Sequence, residues 1–218
     1  SFKKALKDIP GFEIALFGRM VAADPSLNYD AASQVAHSIS THAVHSEYDY
    51  FTAVDDLAPE DNAGAGHLGT VEFNSSTLYR YATVNVSELK KWVKNPEHIV
   101  RVFTEAFIYA MPTGKQNTFA NRTVPDAVYI TIREDQPVNF SGAFEEAVMS
   151  RNGYSKASIE RLQEYAEKSY RNFVEVPAYA FGTGEGVERL CGTKSVKENL
   201  DTLENCVREL LDKAGEAE

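Results

Sequence analysis

Two groups of residues in this sequence could do chemistry at close spacing. The first is the segment 114–123 (GKQNTFANRT), which sets Lys115, Gln116, Asn117, Thr118 and Phe119 side by side. A cation, two amides, a hydroxyl and an aromatic are the groups that contact phosphate and ribose and stack on bases. The second spans 42–86, where HAVHSEYDYFTAVDD and HLGTVEFNSSTLYRYATVNV flank the acidic, glycine-bearing LAPEDNAGAG. β-Branched and aromatic residues near alternating positions, with Pro, Asp, Asn and Gly between them, predict a long projecting β-hairpin. Phe51, Thr52 and Leu68 fall near its exposed end, within reach of a ligand or a neighbouring subunit. Arg19 and Met20 close the apolar run IALF; a methionine exposed at such a corner can wedge against an unstacked base.

Other chemistries find less support. His37 and His42 stand five apart, not the four that puts two imidazoles on one helical face, and His45 falls on a strand, so structural or surface roles are favoured over a metal cluster. His45, Ser46 and Asp55 come without a nucleophile-elbow pattern. Asp55 and Asp56 could hold Mg²⁺ for phosphodiester cleavage, but adjacent residues on a strand point to opposite faces. Residues 182–186 (GTGEG) lack the Lys-Ser/Thr that completes a phosphate loop.

The elements that must position these groups alternate along the chain. Residues 12–17 (FEIALF) are expected to be a buried strand, and 29–41 (YDAASQVAHSIST) a helix with Ala32, Val35, Ala36 and Ile39 on one face. After the hairpin, Ser87 is expected to cap a helix that Pro96 kinks or splits. Residues 127–132 (AVYITI) predict a second buried strand. From Ser141 onward SGAFEEAVMS, ASIERLQEYAEKSYRNF and SVKENLDTLENCVRELLDK are expected to be helical, joined by a glycine-containing loop with room for a short strand. The order fits an α+β sheet of the ferredoxin-like or RNA-recognition type, with helices on one face and the other left for a ligand.

The chain has 218 residues, 43% of them apolar, and a formal charge of −10. That is enough for one sizeable core, and it excludes a protein that grips nucleic acid with its whole surface. A local basic face around Arg19, Arg80, Lys115 and Arg122 stays open. Cys191 and Cys206 are the only cysteines, which suits a reducing, cytoplasmic setting with no structural disulfide. No apolar run approaches the ~20 residues of a membrane span, and no cofactor motif stands out. Ser1 takes the place of an initiator Met, so the chain is expected to begin within a longer protein.

The ordered set IALFGRM, AASQVAHSISTH, FTAVDDL, GHLGTVEF, LYRYATVNV and GKQNTFA resembles the CasC-type backbone subunits of type I-E CRISPR Cascade complexes, of the RAMP superfamily. The likeness runs from residue 12 to roughly residue 144; the family's first strand and basic helix have no counterpart ahead of it. It implies a modified ferredoxin-like/RNA-recognition-motif palm (11–45 and 74–135), a projecting hairpin thumb (46–73) and a helical carboxyl-terminal region (136–218). It further implies a non-enzymatic scaffold whose copies polymerise along CRISPR RNA, with other Cascade subunits as partners, target DNA bound through the guide, and no cofactor, metal or membrane. Each thumb would reach over its neighbour and displace a nucleotide. Phe51, Thr52 and Leu68 would lie against that nucleotide with Met20 as a wedge, while Arg19 and residues 115–119 hold the RNA backbone. Two rivals remain: a metal-dependent ribonuclease using Asp55 or Asp56, and a protein-interaction module whose hairpin never meets RNA.

Overall fold

The computed structural model describes residues 10–53 and 67–216. Its strands from Ser33 to Val84 form one interrupted antiparallel ribbon. β1 (Ser33–Val35) pairs with β6 (Ala82–Val84), β2 (Ile39–Ser40) with β5 (Leu78–Tyr79), and β3 (Glu47–Ala53) with β4 (His67–Phe73). The register slips twice. Between Val35↔Ala82 and Ile39↔Tyr79, residues 36–38 face residues 80 and 81, one extra on the first strand. Between Ser40↔Leu78 and Glu47↔Phe73, residues 41–46 face residues 74–77, two extra. Unpaired residues on one side bend a ladder and re-aim what lies beyond. The outermost segment, β3–β4, is the hairpin expected from the sequence; the acidic stretch between its arms lies outside the described residues.

The ribbon overturns the helix expected over 29–41. Ala32, Val35, Ala36 and Ile39 have helical spacing, yet Ala36 donates its N–H to Tyr81 O at 3.0 Å and Thr41 to Thr77 O at 3.0 Å. A pairing partner supplied by distant sequence outweighs a local period. The strand expected at 12–17 is also corrected: α1 (Phe12–Phe17) is a helix, with Glu13 in its first turn and Ala15 and Leu16 buried. A six-residue, mostly apolar run fits either state, and period alone does not decide between them. Gly18 ends α1 at φ 75°, where an added Cβ would sit 2.8 Å from Tyr29 O.

Asn85, not Ser87, caps α2 (Val86–Leu89), accepting from Glu88 N at 3.0 Å. Pro96 opens α3 (Pro96–Tyr109) at its first turn, so the expected long helix is split in two. A short α4 (Gln116–Phe119) leads to β7 (Ala127–Ile132), which pairs along its length with β8 (Tyr179–Gly184). α5 (Ser155–Asn172) and α6 (Val196–Glu216) match expectation, whereas SGAFEEAVMS yields only a 3-10 turn at Ser141–Phe144.

The main core gathers Ala15, Leu16, Ala32, Leu89, Val100, Phe181, Leu200, Leu203 and Val207, joining α1, the ribbon's inner end, α2, α3, β8 and α6. Asn199 is buried at its edge, its amide donating to Gly182 O at 2.6 Å and Thr183 Oγ1 at 2.9 Å, which fastens α6 to β8. A smaller cluster of Ala143, Phe144 and Val148 packs beneath Ile39, Tyr79 and Tyr154. The whole is a mixed α+β fold with small antiparallel sheets. No helix among the described residues is long and apolar enough to cross a membrane.

Candidate nucleic-acid interface

Strand alternation gives the hairpin two faces. Glu47, Asp49 and Phe51 share one with their partners Phe73, Val71 and Gly69; Tyr48, Tyr50 and Thr52 share the other with Glu72, Thr70 and the register position of Leu68. The expected trio of Phe51, Thr52 and Leu68 is therefore divided between faces. Phe51 leans across the ladder onto Gly69, whose missing side chain leaves the space; a Cβ there would run into the ring. Farther down the same face Phe73 meets Phe119 with ring centroids 5.6 Å apart. Hydrophobic and aromatic groups thus run along one side of the hairpin into the segment 114–123. Tyr48 and Tyr50 on the opposite side are 56% and 71% exposed. Sequence reasoning missed Phe73, although its alternation with Val71 marks the face once Phe51 is placed.

The segment 114–123 is strained. Lys115 (φ 60°) and Ala120 (φ 48°) bracket α4 and are the only non-glycine residues with positive φ among the described residues. Such conformations cost about 1 kcal/mol or more each and persist where the surroundings impose them, often at binding sites. Gln116 is a brace: its Nε2 donates to Pro112 O at 3.0 Å and its Oε1 accepts from Arg122 Nη2 at 3.1 Å. Lys115, Asn117, Thr118 and Phe119 remain exposed. Asn121 Oδ1 is buried with no partner among the described residues. Just upstream, Arg80 lies over the Phe107 ring, 4.5 Å from its centroid, and reaches Ala110 O at 3.5 Å.

Arg19 and Met20 stand elsewhere. Arg19 exchanges backbone hydrogen bonds with Tyr29, both 2.9 Å, and its Nε and Nη2 donate to Leu27 O at 3.0 and 2.8 Å. That fork staples the loop after α1 rather than ending a strand. Met20 beside it is 85% exposed. Among the described residues no cluster of His, Cys, Asp and Glu could hold a metal ion; Asp55 and Asp56 lie outside the described residues.

The geometry offers a row of Phe51, Val71 and Phe73 on one face, shared with Glu47 and Asp49, that leads to Phe119 and its exposed cation, amide and hydroxyl neighbours, which suits stacking plus backbone contact with a single strand. Two solved structures are similar to this chain. A chain of a "CRISPR RNA-guided surveillance complex, pre-nicking" superposes with a TM-score of 0.80 at 33% identity over 90% of this chain and 56% of that one. A chain of another "CRISPR RNA-guided surveillance complex" gives 0.79 at 33% identity, covering 89% of this chain and 78% of that one. This chain therefore spans little more than half the length of the first. No curated protein matches. Residues 1–209 match the family described as CT1975-like protein, and the chain belongs to that family.

Proposed function

We propose that the chain is part of a CRISPR RNA-binding backbone subunit of a Cascade surveillance complex, of type I-E, acting in antiviral defence in the cytoplasm. Copies polymerise along the guide and present it for pairing with target DNA. The chain is a scaffold and not an enzyme. The ribbon's inner strands with β7 and β8 serve as the ferredoxin-like or RNA-recognition palm, and β3–β4 as the thumb. The observation that carries this reading is the ridge from Phe51 through Phe73 to Phe119, which joins the hairpin to the strained segment 114–123. Phe51 and Phe119 stack on bases, Lys115, Asn117 and Thr118 contact the RNA backbone, and Gln116 positions Arg122. Thr52, Leu68, Met20 and Arg19 belong to the same reading as neighbours of the displaced nucleotide, Arg19 through the loop it staples.

Purifying the protein with its native partners from cells that express a CRISPR array, and sequencing the bound RNA, tests this. Repeat-flanked spacer RNA of uniform length is the expected outcome. Clean protein without RNA would favour a second reading, in which the hairpin docks only on protein. One observation favours that rival: segment 46–73 carries Glu47, Asp49, Asp55, Asp56, Glu60, Asp61 and Glu72 but no Lys or Arg. An arm without Lys or Arg gains little from phosphate charge, so the RNA contacts open to it are stacking and neutral hydrogen bonds. Ultraviolet crosslinks at Phe51 or Phe119 separate the two cases.

A further inference from the structure

The outer break of the ribbon, where 41–46 face 74–77, holds a connected polar cluster. Thr77 donates its backbone N–H to His42 Nε2 at 3.1 Å, so that nitrogen carries no proton. His42 Nδ1 then donates to Ala43 O at 2.8 Å, which fixes a single neutral tautomer. The imidazole stacks on the Tyr154 ring, centroids 3.7 Å apart and planes 11° from parallel. Beside it Thr41 accepts from Ser158 Oγ at 2.7 Å and gives its carbonyl to Val148 N at 2.9 Å. Both arms of the hairpin are tied here to each other, and the first arm to the start of α5.

We infer that this His42–Thr77–Tyr154 clamp is the positioning device of the hairpin: it sets the direction in which β3–β4 leaves the body. Two extra residues on one strand leave the bend undetermined by ladder hydrogen bonds. Among the described residues β3 and β4 pair only with each other, so no described strand beside them steers the part beyond the break. Seven residues at about 3.3 Å each make an arm of roughly 20 Å. A tilt of about 10° at its base moves the far end by roughly 3 Å, enough to lose a stacking contact. The Phe73–Phe119 contact fixes a second point on the arm, but one apolar contact leaves rotation about itself, which the clamp removes. The consequence for RNA rests on the scaffold reading above; the aiming of the arm does not.

The test places spin labels at Thr70→Cys and Lys156→Cys in a background with Cys191→Ser and Cys206→Ser, and measures their distance distribution by double electron-electron resonance without RNA. The parent is expected to give one narrow peak. His42→Ala should broaden it at least twofold, and His42→Gln, whose amide oxygen can accept from Thr77 N–H, should narrow it again. An unchanged distribution in His42→Ala overturns the inference, as does failure of His42→Gln to restore the peak. If His42→Ala does not fold, Tyr154→Leu decides: it removes the stacked ring just ahead of α5 and leaves the ribbon's own hydrogen bonds in place, and should still broaden the peak; an unbroadened peak there overturns the inference. Absence of RNA from the parent protein would sink the scaffold reading and leave this result standing.

Discussion

The hairpin and the α3–α6 body are held by different physics. The body buries Val100, Leu200, Leu203 and Val207 among neighbours from five other elements, and Arg101 bridges α3 to Asp201 and Glu204 of α6 at 3.3 Å each. Among its described residues the hairpin buries no side chain; what holds it there includes its own ladder, the Phe73–Phe119 contact and the clamp at its base. Stability accordingly belongs to the body, whereas the hairpin's exposed apolar surface remains available for a partner. An arm that contributes little to folding can change its contacts with little risk to the fold.

The contrast makes predictions of graded size. Leu203→Ala should cost about 3 kcal/mol in denaturant unfolding, because it opens a cavity in the core, whereas Tyr50→Ala should stay within about 0.5 kcal/mol. Comparable losses at both sites would show that the hairpin belongs to the folding unit. Asn199→Ala should cost about 1 kcal/mol by removing the amide that ties α6 to Gly182 O and Thr183 Oγ1; Gly182 O keeps the bond it accepts from Lys194 N. Phe51→Ala and Phe119→Ala should each weaken RNA binding by about 1 to 2 kcal/mol, read in filter binding, with the larger part of the effect insensitive to salt. A strong salt slope lost with Phe51→Ala would instead tie the arm to phosphate. Ala120→Gly should raise stability by about 0.5 kcal/mol by relieving the left-handed backbone, while loosening the loop and weakening RNA binding.

The last prediction leaves neutral pH untouched. Burial pushes the Tyr79 hydroxyl up to about 12 and also raises that of Tyr129. Tyr79 donates to Asn139 Oδ1 at 3.0 Å and accepts from Phe140 N at 3.1 Å, under the ribbon. A phenol that holds its proton more tightly when folded contributes stability that is full below the unfolded value near 10 and is lost as pH rises through about 12. Tyrosinate absorbance should therefore rise together with unfolding in that window. Titration of these groups in a chain that stays folded would show that the ribbon's footing is wetter than described.

The hairpin, α5 and α6 were legible because each has a long, consistent period, and β7 because AVYITI is dense in β-branched residues; the 114–123 segment stood out by composition alone, a Lys, two amides and an aromatic side by side. α1 and the inner ribbon were hidden. FEIALF is too short to reveal a period, and Ser33–Val35 becomes a strand only because Ala82–Val84, remote in sequence, pairs with it. The division of Phe51 from Thr52 follows from strand alternation and was legible, but Phe73 packing on Phe119 required the tertiary fold. His42 was read only as a structural or surface histidine; its partner Tyr154, more than a hundred residues away, could not be named from spacing.

Gly69 and Phe51 form a pair whose history should be joint. The ring occupies the volume that any side chain at position 69 would need, as when an aromatic covers a glycine in a designed sheet. Replacing the glycine first would dislodge the ring; replacing the ring first would expose a bare, weakened stretch of strand. Among relatives the two positions should therefore change together, an aromatic with a glycine or a smaller residue with a Cβ-bearing one. Such covariation would record the stacking platform in sequences whose structures have never been determined.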